Sequence, residues 1–133
     1  MPTKETEIEQ AVKGNNAPEI IRALQAVQSA PSGGSLTAIM GLFDHPSFAV
    51  REATVRIMGE YAVAKALPAI IEKSDYRKEK DRHVRQRAVR ALAAFRGPKV
   101  VAALRSALGD PALNVRGDAQ SLLDSLAAES RNS

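Results

Sequence analysis

The side chains best suited to chemistry in this sequence are the arginines and lysines of one segment. Residues 77–99 carry nine Lys or Arg against two acidic residues, Glu79 and Asp81, a net charge of +7 within a chain whose net charge is +4. Guanidinium groups bind carboxylates and phosphates through two parallel hydrogen bonds, and lysines attract the same groups as point charges. These residues therefore favour the binding of an acidic group, although charge runs of this kind often form only a solvated face.

Side chains that could catalyse a reaction are sparse. The chain has no Cys and only two histidines, His45 and His83, which lie far apart in the sequence and each within a turn-like segment. Neither histidine belongs to a His-x-x-x-His or His-Glu pair of the kind that holds zinc or iron. No glycine-rich phosphate loop, dinucleotide motif or nucleophile elbow occurs either. The sequence predicts a protein without catalytic activity, metal or cofactor.

The composition fits a single globular domain over residues 1–133. Apolar residues make up 44% of the chain, but no stretch approaches the roughly 20 apolar residues that span a bilayer. The first ten residues include Glu5, Glu7 and Glu9, unlike a secretory signal. The absence of Cys agrees with a reducing compartment. We therefore expect a cytoplasmic protein that does not contact the membrane.

A repeated pattern must position the charged residues. Three segments align without gaps, at residues 50–61 (VREATVRIMGEY), 84–95 (VRQRAVRALAAF) and 115–126 (VRGDAQSLLDSL). Each begins with Val-Arg and places small or apolar residues four, eight and eleven positions after the Val, which fall on one face of an α-helix. The Val-to-Val spacings are 34 and 31 residues, a period typical of α-solenoids.

A second apolar segment precedes each occurrence of this pattern and ends in a turn signal. The turns are rich in Asp, Gly and Pro: DHP at 44–46, SD at 74–75 and GDP at 109–111. Such clusters end one helix before the next begins, so the unit is predicted to be helix, turn, helix, with repeats at 35–62, 63–96 and 97–128. We expect 1–34 to form an atypical N-terminal capping repeat, because end repeats need a polar outer face, and 129–133 to form a disordered tail.

The order of apolar helix, Asp-Pro-like turn, Val-Arg and Ala/Leu-rich helix resembles the HEAT repeat, especially its short bacterial form, which also occurs in phycobilisome-lyase-like proteins. The resemblance covers residues 35–127. It implies an all-α fold, a right-handed α-α superhelix of about three to four helix pairs. It also implies a non-catalytic protein-protein interaction scaffold or adaptor. Nucleic-acid binding, or a subunit of a bilin-lyase-like enzyme, remains an alternative because a fold alone does not set a function.

The arginine that follows each repeated Val has a structural explanation. On a helical wheel it lies beside the apolar stripe, so its stem should border the core. An Asp precedes each of these arginines in the turn, at position 44, at 75 or 81, and at 110. The resemblance implies an Asp/Arg ladder that runs from repeat to repeat: Asp44, Arg51, Asp81, Arg85, Asp110 and Arg116. Within it, Arg116 is expected to pair with Asp110.

Other arginines of the second helices predict a binding surface. Arg56 and Arg90 occupy the same position of successive repeats, on the solvent side of their helices, and Arg87 lies one turn from Arg90. In HEAT stacks the second helix of each pair lines the concave face, so the resemblance places these arginines in a basic groove that attracts an acidic partner. The expected partner-binding residues are Arg56, Gln86, Arg87, Arg90, Arg96 and Lys99.

Two further features bear on partners. The segment 74–83 (SDYRKEKDRH) is about three residues longer than the matching turns, and insertions in solenoids often mark a binding edge. The exposed ends of the stack also allow self-association. An acidic protein partner is favoured, and nucleic acid remains the alternative because the sequence pI is about 9.7, although the chain has few aromatic residues to stack on bases.

Overall fold

The computed structural model of the protein describes residues 4–132. Over these residues the chain forms eight α-helices and no β-strand, which confirms the predicted all-α fold as a HEAT-type helical solenoid. The helices are α1 (Lys4–Gly14), α2 (Ala17–Gln25), α3 (Gly33–Met40), α4 (Phe48–Glu60), α5 (Leu67–Lys73), α6 (Arg82–Ala91), α7 (Pro98–Ala107) and α8 (Leu113–Arg131). Short 3-10 turns follow α3 and α6 and precede α5.

The eight helices form four consecutive helix-turn-helix pairs. The second helices, α2, α4, α6 and α8, pack side by side in one continuous layer. The first helices form the other layer, in which α1 and α3 pack closely and the later neighbours are more widely spaced. Because the second helices pack on one another along the whole stack, we refer to their layer as the inner layer.

The stripe predicted from the repeat forms the core of the stack. Its members at offsets zero and four are fully buried in all three repeats. At offset eight Met58 and Leu92 are fully buried, whereas Leu123 is half-buried because within residues 4–132 no further pair covers α8. The fully buried stripe residues are Val50, Thr54, Met58, Val84, Ala88, Leu92, Val115 and Ala119.

Helices α4 and α6 approach each other most closely at Gly59. A Cβ atom on this glycine would lie 2.6 Å from the Cβ of Ala91, much closer than two carbon atoms can pack. A glycine at this position therefore lets the two backbones meet. The close approach brings the outward faces of α4 and α6 into one surface.

Local residues set the ends of the helices that carry this surface. Ser47 caps α4 and Asp81 caps α6, each by accepting hydrogen bonds from backbone N–H groups of the first turn. At its other end α4 closes in a Schellman motif, in which the Val63 N–H donates to the Met58 carbonyl at 3.0 Å. Ala62 adopts a left-handed conformation there, with φ of 46°, which costs free energy for any residue but glycine.

The two ends of the chain differ in how they match the sequence predictions. Within 1–34, α1 and α2 form a helix pair that packs on α3 and α4, and residues 1–3 lie outside the described part. The disordered tail predicted at 129–133 is wrong for 129–131, which form the last turn of α8. Alanines at 127 and 128 favour continued helix, and Glu129 binds Arg96 at 3.0 Å. Ser133 lies outside the described residues.

Candidate partner-binding surface

A groove runs between the outward faces of α4 and α6. It has a volume of about 470 Å³ and is lined by three guanidinium groups, those of Arg56, Arg87 and Arg90, together with Glu60. Its floor consists of small residues only: Gly59, Ala91, Ala93 and Ala94. Arg56 and Arg90, which are predicted to occupy the same position of successive repeats, thus line the same groove. We refer to these eight residues as the second-helix groove.

Each groove arginine already has a carboxylate partner. Arg56 pairs with Glu60 at 3.3 Å, Arg87 with Glu52 at 3.8 Å, and Arg90 with Asp118 at 2.8 Å. The three arginine side chains are between 34% and 55% exposed, so these ion pairs are solvated and weak, about 0–1 kcal/mol each. The groove therefore presents alternating charges, and its arginines can exchange one carboxylate for another.

Two of the expected binding residues connect α6 and its 3-10 turn to α8. Gln86 donates to the Asp118 carboxylate at 3.0 Å and accepts from the Asn114 side chain at 2.9 Å. Arg96 donates to both carboxylate oxygens of Glu129 at 3.0 to 3.2 Å. Both side chains lie outside the lining of the second-helix groove, and their contacts hold α8 against the preceding pair.

The prediction that Lys99 belongs to the same surface is wrong. Lys99 lies in the first turn of α7, and it lines a separate depression of about 320 Å³ together with Ile71 of α5 and Ala102 of α7. Because α5 and α7 are first helices, this depression belongs to the other layer. The charge run at 77–99 spans a turn, a second helix and the start of the next first helix, so its residues are distributed over different faces.

The first rung of a charged ladder joins the second and third pairs. Arg51 donates through Nε and Nη2 to both carboxylate oxygens of Glu79, at 3.0 and 3.1 Å. Its Nη1 donates to the carbonyls of His45 and Pro46 in the turn that precedes α4. The guanidinium thus ties its own turn to the acidic residue of the following turn. Glu79 is 3% exposed and also lies 3.7 Å from the ammonium group of Lys73.

The second rung repeats this arrangement one pair further along. Arg85 donates to both carboxylate oxygens of Asp110, at 2.8 and 3.1 Å, and to the carbonyls of Glu79 and Lys80. The Arg85 and Asp110 side chains are only 6% and 0% exposed. A buried pair of this kind fixes how one repeat sits on the next, because neither charge has water to replace its partner.

Three expected members of the ladder take other roles. Asp44 pairs with Lys73 at 2.9 Å, and Asp81 caps α6. Arg116 donates to the backbone carbonyl of Asp110 at 2.8 Å, so the predicted pairing with the Asp110 carboxylate is wrong. The physical reason is that Arg85 of the preceding pair already occupies that carboxylate. Arg51 and Arg85 each reach forward to the turn of the next pair, whereas the described residues hold no pair after that of Arg116.

The sequence interpretation missed Glu79, which replaces the expected Asp in the longest turn. A signal for it exists: Glu79 precedes Val84 by five residues, as Asp110 precedes Val115. In the same turn Asp75 accepts hydrogen bonds from the Arg77 side chain at 3.0 Å. These bonds hold the pKa of the Asp75 carboxyl below its ordinary value, against the opposing effect of burial.

Neither a metal-ligand cluster nor a membrane-spanning helix is found among the described residues. Over residues 4–132, no three His, Cys, Asp or Glu side chains are grouped so that they could hold a metal ion. His45 instead contributes to the turns: its Nδ1 accepts from the Ser47 N–H at 3.0 Å, and its Nε2 contacts Asn15 Oδ1 at 2.9 Å. None of the described helices is long and apolar enough to cross a membrane.

Comparison with known proteins agrees with this architecture. The family model of HEAT repeats matches residues 35–124, which include α3 to α7 and most of α8. No curated protein and no solved structure gives a match. HEAT repeats generally mediate protein interactions and are typically non-catalytic. With more than half of its length matched by that model, and with the helix pairs, inner layer and arginine rungs described above, the chain belongs to the HEAT-repeat family.

Proposed function

We propose that this protein is a non-catalytic scaffold whose second-helix groove binds an acidic segment of a partner protein. The observation that carries the proposal is the combination of Arg56, Arg87 and Arg90 around one open groove, with carboxylate partners whose side chains are 28% to 53% exposed. Solvated ion pairs contribute little stability, so carboxylates of a partner can replace those of the chain at small cost.

The floor of the groove favours a segment with small side chains. Gly59, Ala91 and Ala94 have no side chain beyond Cβ, so the backbone of a bound segment can approach closely. The arginines at the rim then reach its carboxylates and grip them through two hydrogen bonds. A segment that alternates acidic and small residues satisfies the rim and the floor together.

A charge-reversal experiment tests this proposal. The test variant combines Arg56→Glu with Arg90→Glu, and the probe is a fluorescent peptide of Glu and Ala residues. The matched control combines Lys65→Glu with Arg105→Glu, two exposed side chains outside the groove without an ion-pair partner over residues 4–132. Both variants change the net charge equally, so only the position of the change differs.

We expect the groove variant to bind the peptide at least about tenfold more weakly at low salt, with most of the loss in the association rate. Added salt should narrow the difference because it screens the repulsion. The control should bind like the wild type. Equal losses in the two variants would show that only net charge matters, and the groove would then have no special role.

A further inference from the structure

The longest turn of the stack, residues 74–81, and the first residue of α6 together carry three exposed cations. Lys78, Lys80 and Arg82 are exposed, whereas the residues between them are buried or half-buried. Glu79 is buried, and Asp81 caps α6. The three cations thus alternate in sequence with these two acidic residues. We call Lys78, Lys80 and Arg82 the cationic edge.

The positive charge of the cationic edge is not neutralised within the described chain. Over residues 4–132, none of its three side chains forms an ion pair. The two adjacent acidic residues are engaged elsewhere. Glu79 binds Arg51, and Asp81 accepts from the backbone N–H groups of His83 and Val84. The groove arginines each have a carboxylate, so the cationic edge carries more unpaired positive charge than the groove does.

Two depressions flank the cationic edge and share Lys80 as a common wall. One has a volume of about 270 Å³ and the other about 480 Å³. Their linings contain six Lys or Arg against three acidic residues: Arg51, Lys73, Lys78, Lys80, Arg82 and Arg85 against Asp44, Glu79 and Asp81. The apolar lining is limited to Pro46, Pro111 and Ala112. This surface therefore lacks the apolar centre that protein-protein interfaces require.

We propose that the cationic edge binds the phosphate backbone of a nucleic acid without reading its bases. Interfaces with nucleic acids are polar and strongly positive, which matches the linings of both depressions. The only ring side chains that the two linings contain besides proline are His45 and His83, and neither lining includes Phe, Tyr or Trp. This surface is separate from the second-helix groove and goes beyond the scaffold function proposed for it.

The salt dependence of binding measures the number of phosphate contacts. The probe is a fluorescein-labelled duplex DNA of arbitrary sequence, and its dissociation constant is measured by anisotropy from about 50 to 200 mM salt. Three contacts give a log-log slope of about −2.7, so the affinity should fall about fortyfold over this range. A slope near zero, or a dissociation constant weaker than about 10⁻⁴ M at the lowest salt, overturns the proposal.

Matched variants distinguish the effect of the cationic edge on DNA binding from the effect of net charge. The test variant replaces Lys78, Lys80 and Arg82 by Gln, and the control replaces Lys65, Lys99 and Arg105 by Gln. All six side chains are exposed and lack an ion-pair partner within the described residues. We expect the test variant to lose most of the DNA affinity and most of the salt slope, and the control to retain both.

Three further results would refute the proposal. One is equal DNA binding by the test and control variants. Another is loss of DNA binding together with loss of the helical signal in circular dichroism, since the edge side chains should not affect folding. The third is tighter, edge-dependent binding of a polyglutamate peptide than of DNA, which would assign the edge to an acidic protein. Because the probe and the residues differ from those of the groove experiment, failure here leaves the groove proposal standing.

Discussion

Replacing Arg85 by Ala is expected to leave a buried carboxylate without its cation. Arg85 makes two hydrogen bonds to the Asp110 carboxylate, at 2.8 and 3.1 Å, and two to backbone carbonyls, at 3.0 and 2.9 Å. Asp110 is 1% exposed, so water cannot replace the lost guanidinium without a local opening. Among residues 4–132, the hydrogen bond that remains to this carboxylate in the variant is the one from the Ala112 N–H, at 2.8 Å.

The expected loss in the free energy of unfolding follows from the burial of this ion pair. Removing one partner of a buried ion pair costs about 3–5 kcal/mol because the other charge stays uncompensated. We therefore expect the free energy of unfolding to fall by about this amount, measured by urea unfolding and far-UV circular dichroism. Arg116→Ala is the matched control, because it removes a guanidinium that bonds to the Asp110 carbonyl and to no carboxylate. That loss should cost only about 1 kcal/mol.

A second substitution tests whether the uncompensated negative charge of Asp110 causes the loss of stability. Asp110→Asn keeps an acceptor for the Ala112 N–H but removes the negative charge, so adding it to Arg85→Ala should recover more than about 1 kcal/mol of the loss. The reasoning would be refuted by equal destabilisation in Arg85→Ala and Arg116→Ala. It would also fail if the double variant were as unstable as the sum of the two single variants.

Four other substitutions test the packing and backbone conformation of the stack, each by chemical denaturation. Leu92→Ala should lower the free energy of unfolding by about 2–5 kcal/mol, because Leu92 is fully buried in the core. Gly59→Ala should lower it by about 1–3 kcal/mol through overlap with Ala91, whereas Gly117→Ala, with nothing within 4 Å of the new Cβ, should raise it by up to about 1 kcal/mol. Ala62→Gly should raise it by about 0.5–1 kcal/mol, since glycine adopts φ of 46° without strain. A change of the opposite sign in any of them would contradict the stated contact.

The fold could be predicted because its signals are local in sequence. The stripe through Val84, Ala88 and Leu92 recurs three times with the period of a helix, and Asp-Pro or Asp-rich turns separate the helices. Burial of that stripe then follows from the hydrophobic effect alone. The end of α8 could not be predicted in the same way, because it depends on Arg96 of the preceding pair reaching Glu129.

The surface charges were harder to predict because their partners lie in other repeats. Periodicity predicts that Arg56 and Arg90 share a face, and both line one groove. It does not reveal that Asp118 of α8 lies 2.8 Å from Arg90. Nor does a run of charges in the sequence indicate that Lys99 belongs to a first helix and so to the other layer.

The ladder shows the same dependence on neighbours at its two ends. Each ladder arginine lies four residues after the N-cap of its helix, and in α2 that position holds the buried Ile20. Asp44 therefore receives no guanidinium from the first pair, and its side chain remains 83% exposed beside Lys73. At the opposite end, the described part of the chain contains no further acidic turn for Arg116. A rung needs an arginine from one helix pair and an acidic residue from the next. The second and third pairs, and the third and fourth pairs, are therefore each joined by an arginine-carboxylate rung. Among the described residues, the first junction instead combines apolar packing with neutral hydrogen bonds such as His45 to Asn15.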